Sequence, residues 1–166
     1  DTRAITRHLR DHGAMRAGIS TVTTSAVALR ARVLTSPPMA GADLTADVTA
    51  PRSYVVPAIS ERRFTVAAID LGIKAMTPSR MAQRGIETHV LPASAGIDDV
   101  LALEPDGLFL SNGPGDPATA DHAVDLLTEA LARRLPFFGI CFGHQILGRA
   151  LGFGTDAVGC PGDQGR

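Results

Sequence analysis

"GLFLSNGPGDPATADHAVDLLTEALARRLPFFGICFGHQILG", residues 107–148, reads as strand, loop, helix, strand, sharp turn and helix. "GLFLSN" and "PFFGI" are short apolar runs of strand length, while "ATADHAVDLLTEALARR" between them carries apolar residues at helical spacing. The same alternation extends upstream to Arg63. "FTVAAID" and "THVLPA" are further strands, "IDDVLAL" is a short helix, and "IKAMTPSRMAQRG" is helix-like apart from Pro78. Strands alternating with helices predict an α/β fold in which a mostly parallel sheet is flanked by helices. Ligands in such sheets bind beyond the carboxyl ends of the strands, and here two of those ends carry "SNGPGDP" and "CFGHQ".

Before Arg63 the pattern is different. Ala4, Ile5 and Leu9 predict a short exposed helix over Thr2–His12, stopped by Gly13. Met15–Ile19 reads as a strand and Ala26–Leu34 as a helical piece, followed by a linker through Pro37, Pro38, Pro51 and Pro57. The resulting division is 1–36, a linker at 37–63, an α/β domain at 64–155, and a Gly-rich tail at 156–166 with no apolar period.

Composition narrows the function. The 166 residues are 45% hydrophobic, and 16 Lys plus Arg balance 17 Asp plus Glu at a net charge of −1. No basic footprint for nucleic acid or an anionic membrane follows, so the expected partners are small molecules or another protein. Cys141 and Cys160 make no disulfide framework, and no run reaches the roughly 18 apolar residues of a membrane span, so a cytoplasmic setting is the default. The first residues have neither an initiator Met nor the layout of a signal peptide.

The chemistry gathers at the two strand ends. Gly139-Ile140-Cys141-Phe142-Gly143 has the glycine-flanked spacing of a nucleophile elbow, with Cys in place of Ser. A tight strand-to-helix turn brings backbones together where a Cβ would clash and leaves the central side chain exposed. It also puts Cys141 at a helix N-terminus, whose positive end favours thiolate. Attack on an amide carbonyl needs oxyanion donors. The N–H of Phe142 is one, and "NGPG", where Gly113 and Gly115 let backbone approach a ligand, offers another. A general base is not evident. His144 lies in the first turn of the following helix while the elbow aims Cys141 over the sheet, His8 and His12 read as a solvated helix face, and His89 and His122 have no motif around them.

"FLSNGPGDP" followed by "PFFGICFGHQILGRALG" resembles the class I, triad-type glutamine amidotransferases, whose fold is flavodoxin-like. "DTRAITRHLRDHGAMRAGI" with "AAIDLGIK" narrows the resemblance to the small, glutamine-hydrolysing subunits of carbamoyl phosphate synthetases. The likeness runs from Asp1 to Thr155 and is weakest between Ser20 and Arg63. It implies that Cys141 attacks the side-chain amide of L-glutamine to form a thioester, with Gly113 and Phe142 as oxyanion donors and Gly113, Gly115, Phe142 and Gln145 as glutamine-binding residues. Ammonia would pass to a large partner subunit that uses ATP and Mg2+, with no cofactor or metal in this chain, and serve carbamoyl phosphate synthesis for the arginine and pyrimidine pathways.

The same resemblance makes 1–36 the end of an N-terminal domain and 64–155 the first part of the amidotransferase domain. It places the catalytic His and its Glu downstream of Arg166, so the chain reads as a truncated middle fragment, inactive alone. Met76 departs from the Asn found in relatives, the 156–166 tail does not match, and Cys160 gets no role. Two alternatives stand beside this reading: another class I glutamine amidotransferase or related cysteine hydrolase, and a non-catalytic fragment that only binds a partner. Glutamate release from glutamine separates the second from the enzymes.

Overall fold

The computed structural model describes residues 1–13 and 15–154. The chain divides into two compact units, Asp1–Ala40 and Gly41–Thr155. The 156–166 tail, with Cys160, lies outside the described residues.

In the first unit, α1 (Thr2–His12) begins where the Asp1 carboxylate accepts the N–H groups of Arg3 and Ala4 at 2.9 and 3.1 Å, and it ends at Gly13 with φ 80°. Ser25 caps α2 (Ala26–Thr35) through the N–H of Ala28. The strand expected at Met15–Ile19 is not formed. A strand needs a neighbour for its ladder, and this stretch packs on α2 by side chains instead. Arg16 donates to the carbonyls of Leu34 and Ser36, and Gly18 faces Val33 and Leu29.

The second unit starts earlier than the hydrophobic pattern suggests. Residues 41–63, read as linker, contain α3 (Thr45–Val48) and β1 (Tyr54–Val56). Pro51 and Pro57 bracket the apolar triplet Tyr54-Val55-Val56 rather than interrupt it, and β1 can therefore pair antiparallel with β3 (Ile86–Pro92) at the edge of a sheet. The remaining strands, β2 (Phe64–Asp70), β4 (Gly107–Leu110) and β5 (Phe137–Gly139), run parallel with β3 in the order β1-β3-β2-β4-β5. The helices between them are α4 (Met76–Ala82), α5 (Ile97–Leu101) and α6 (Asp121–Ala132), with α7 (Phe142–Ala150) after β5. Pro78 is the third residue of α4, where a backbone N–H has no intrahelical acceptor, so it costs no hydrogen bond.

Strand alternation divides the core. Ala67, Ile69, Leu71, Leu108 and Leu110 face α5, α6 and α7, meeting Val100, Leu126, Leu127, Phe142 and Ile146. Ala68, Val90 and Phe109 face the other way, toward Met81 of α4. Each fully buried Leu, Ile, Val or Phe contributes about 1.5–3 kcal/mol. This packing aligns the strand ends. Asp70 pairs with Pro92, Ile69 with Leu110, and Leu110 with Gly139, so the loops after all four parallel strands emerge on one side. The chain leaves β2 toward β3 and returns past it to β4, which places the topological switch between the ends of β2 and β4.

Candidate active site

Cys141 occupies the turn between β5 and α7 as the N-terminal capping residue, exposed, with φ 52° and ψ −104°. Positive φ costs a non-glycine residue about 1–3 kcal/mol and persists only where the surroundings impose it. Here they do. A Cβ on Gly139 would lie 2.6 and 2.7 Å from the carbonyl carbon and oxygen of Gly143, so the two glycines meet across the turn. A Cβ on Gly143 would overlap the Leu110 carbonyl oxygen, so α7 starts directly against the end of β4. Hydrogen bonds hold this approach. Ile140 N donates to Leu110 O at 3.2 Å, Gly143 N to Ser111 O at 3.2 Å and Ile140 O at 3.0 Å, and Gln145 N to Cys141 O at 3.1 Å.

The loop after β4 rests on the loop after β2. Ser111 is fully buried; its hydroxyl accepts from Leu71 N at 2.9 Å and donates to Asn112 O at 2.8 Å. The Asn112 side-chain amide donates to Gly72 O at 2.9 Å, and Gly113 is pressed onto the Leu71 carbonyl with no room for a Cβ. Gly115 has φ 98°. The N–H groups of Gly113 and Phe142 make no hydrogen bond among the described residues. Phe142 buries its ring in the core as the first residue of α7, whose opening N–H groups have no intrahelical partner. Gln145 is exposed one turn along from Cys141 on the same helix face.

The histidines do not reach the thiol. Among the described residues the Cys141 thiol has no hydrogen-bond partner, and the exposed His144 makes none with it. His89 bonds Glu87 at 3.1 Å, His122 bonds the Ala95 carbonyl at 2.9 Å, and His8 and His12 stack on each other at 4.2 Å. Among the described residues no three His, Cys, Asp or Glu side chains gather as a metal site. None of the helices described is long and apolar enough to cross a membrane. Met76, exposed at the start of α4, takes no part in this arrangement.

Sequence reasoning missed a strap. Residues 41–50 lie across the carboxyl ends of β2, β3 and β4. Gly41 N donates to Asp116 Oδ2 at 2.8 Å and Asp116 N returns a bond to Ala42 O at 2.9 Å. Thr49 Oγ1 accepts from Ala93 N, and the Asp70 carboxylate accepts from Ala50, Gly72 and Ile73 N–H groups. Asp116 is consequently held below the usual carboxylate range, first by the Gly41 N–H and then by that of Ala118. A cavity of about 500 Å3 opens beneath the strap, lined by Thr45, Thr49, Leu71, Ala93, Thr119 and His122; Cys141 is not part of its wall. The one local signal for the strap was Asp70 before Leu71-Gly72, a side chain placed to close a turn on the N–H two residues on.

The glutamine amidotransferase class-I family matches residues 67–164. The carbamoyl phosphate synthase small chain of Streptomyces coelicolor is 64% identical over 157 residues, 93% of this chain and 41% of that protein. The small chains of Streptomyces avermitilis and Mycobacterium tuberculosis are 62% and 54% identical, again over 93% of this chain. The chain thus spans about two fifths of the length of these curated relatives.

Proposed function

This chain belongs to the class I glutamine amidotransferase family, and from that membership we propose that it carries the nucleophile and oxyanion loop of a glutaminase that supplies ammonia for carbamoyl phosphate synthesis. The observation that carries the reading is Cys141, exposed at positive φ on a turn that two opposed glycines and the end of β4 force into shape. In the proposed reaction the Cys141 sulfur bonds to the side-chain carbonyl carbon of glutamine. The oxygen takes the negative charge and accepts the N–H groups of Gly113 and Phe142, whose loss would each cost about 3 kcal/mol of transition-state stabilisation. The amide nitrogen then leaves with a proton as ammonia, and water cleaves the thioester to glutamate and free thiol. Gly115 and Gln145 complete the glutamine site. None of the described histidines serves as the general base in this reading, since His89 and His122 are bonded to Glu87 and to the Ala95 carbonyl and no histidine bonds the thiol.

The small-chain relatives support the second half of the proposal. Ammonia goes to a large partner subunit in the cytoplasm, where ATP and Mg2+ serve the synthesis as the partner's reactants and not as groups of this chain. In this reading residues 1–36 close an N-terminal domain of the small subunit and the elbow-bearing unit opens its glutaminase domain.

The test is Cys141→Ser in the full-length protein assembled with its large partner. A serine hydroxyl is hardly ionised at neutral pH, while the near-isosteric change leaves the loop in place. Carbamoyl phosphate synthesis from glutamine should be abolished and synthesis from added ammonia kept. Equal loss of both would make Cys141 structural, and retention of both would remove it from the mechanism.

A further inference from the structure

We infer that Arg149, at the far end of α7, is a positioning residue that pins the oxyanion loop to the same helix that presents Cys141; the inference rests on the glutaminase reading above. The loop that carries Gly113 and Gly115 runs from Ser111 to Pro117, and both of its ends bond to α7. At the near end Gly143 N donates to Ser111 O at 3.2 Å. At the far end Arg149 Nη1 donates to Pro117 O at 2.8 Å, while its Nη2 donates to Asp121 Oδ1 at 2.6 Å at the start of α6. From Gly143 to Arg149 is six residues, so the two anchor points stand about 9 Å apart along one rigid helix.

The consequence is geometric. Elbow and loop belong to different strands, and a relative shift of β4 and β5 would change the distance from sulfur to oxyanion donor. Fixing both ends of the loop to one helix removes that freedom. The guanidinium suits the task because it offers two donors in a fixed fork, one for the carbonyl and one for the carboxylate. It is also sheltered: the Arg149 side chain is only 22% exposed, whereas its partner Asp121 is 78% exposed. The bond to Asp121 alone is therefore a weak surface pair, and the Pro117 carbonyl is the contact that orients the loop.

The experiment uses the full-length protein with its large partner, as wild type, Arg149→Met, Arg149→Lys, Asp121→Asn and Cys141→Ser. Arg149→Met keeps an apolar stem and removes both donors. Its glutamine-dependent kcat should fall between about tenfold and the roughly 10²-fold that a displacement of about 1 Å costs, with KM changing less and ammonia-dependent synthesis unchanged. Arg149→Lys, which retains one donor, should recover part of the loss, millimolar guanidinium should partly rescue Arg149→Met, and Asp121→Asn should stay within about twofold of wild type. A wild-type kcat in Arg149→Met, or parallel loss of glutamine- and ammonia-dependent synthesis in both Arg149 variants, would overturn the inference. Cys141→Ser separates the two levels. If it is dead toward glutamine while Arg149→Met is normal, only the positioning role fails; if it still hydrolyses glutamine, the glutaminase reading fails and takes this inference with it.

Discussion

Gly143→Ala tests the elbow with a single methyl group. The added Cβ would overlap the Leu110 carbonyl oxygen and lie 2.8 Å from both its carbonyl carbon and its Cβ. Ordinary carbon–carbon contacts are about 3.5–4.0 Å, so the first turn of α7 must retreat from β4 by about 1 Å. Neither side yields easily, because the opposing atoms belong to the backbone and Cβ of a central strand whose Leu110 is fully buried. The same retreat stretches the 3.2 Å bond from Gly143 N to Ser111 O, and it carries Phe142 N and Cys141 away from Gly113. Overpacking of this kind costs about 1–3 kcal/mol of stability. A misplacement of about 1 Å between nucleophile and donors costs about 10²-fold in rate. In the full-length protein with its large partner, glutamine-dependent kcat should fall by roughly that factor while ammonia-dependent synthesis is retained. Both are read in one steady-state assay with two nitrogen sources, beside a urea titration for stability. Wild-type glutamine turnover in Gly143→Ala would show that the contact between α7 and β4 does not set the reacting geometry, and the elbow would lose the role assigned to it.

Two further outcomes follow from the loop supports. Ser111→Ala leaves the buried Leu71 N–H without its acceptor, which should cost about 1–3 kcal/mol, seen as a lower urea midpoint at unchanged slope; a change below about 0.5 kcal/mol would mean that the loop relaxes to find another acceptor. Asp116, held below its ordinary value of 3.8 chiefly by the Gly41 N–H, gives a pH dependence of definite sign. A carboxyl with a depressed folded value adds stability that is fully present above its unfolded value and lost as pH falls through the folded one. Wild type should therefore lose stability below pH 3.8 more steeply than Asp116→Asn, and parallel pH curves from urea titrations would contradict the strap contact.

How much of this could be read beforehand differs from element to element. The helices at Thr2–His12 and Ala26–Thr35 were legible because caps and periodicity lie within the helices or beside them. So were β2 to β5, whose apolar runs are bounded by turn residues. Met15–Ile19 failed because a strand requires a partner that composition does not supply. The 37–63 stretch failed in the opposite way, since β1 is only three residues long and its prolines look like breaks until β3 is seen beside it. At the site, Cys141, Gly139 and Gly143 were visible as a spacing, and Gly113 and Gly115 as a glycine pair in a turn. Ser111, Asp116 and Arg149 were not singled out for what they bind.

The local chemistry is a property of the chain. A strand-length apolar run, a glycine, a cysteine two residues on and another glycine before a helical pattern mark a tight turn, because Gly139 and Gly143 meet within five residues of one another, although the end of β4 completes its shape. The supports of that turn are tertiary. Gly41 and Asp116 are 75 residues apart, Thr49 and Ala93 are 44, Leu71 and Ser111 are 40, and Arg149 and Pro117 are 32. Those pairs exist only after the parallel sheet has brought the carboxyl ends of β2, β3, β4 and β5 to one side. The strand order then decides which loop lies on which, and no periodicity within a single segment encodes it.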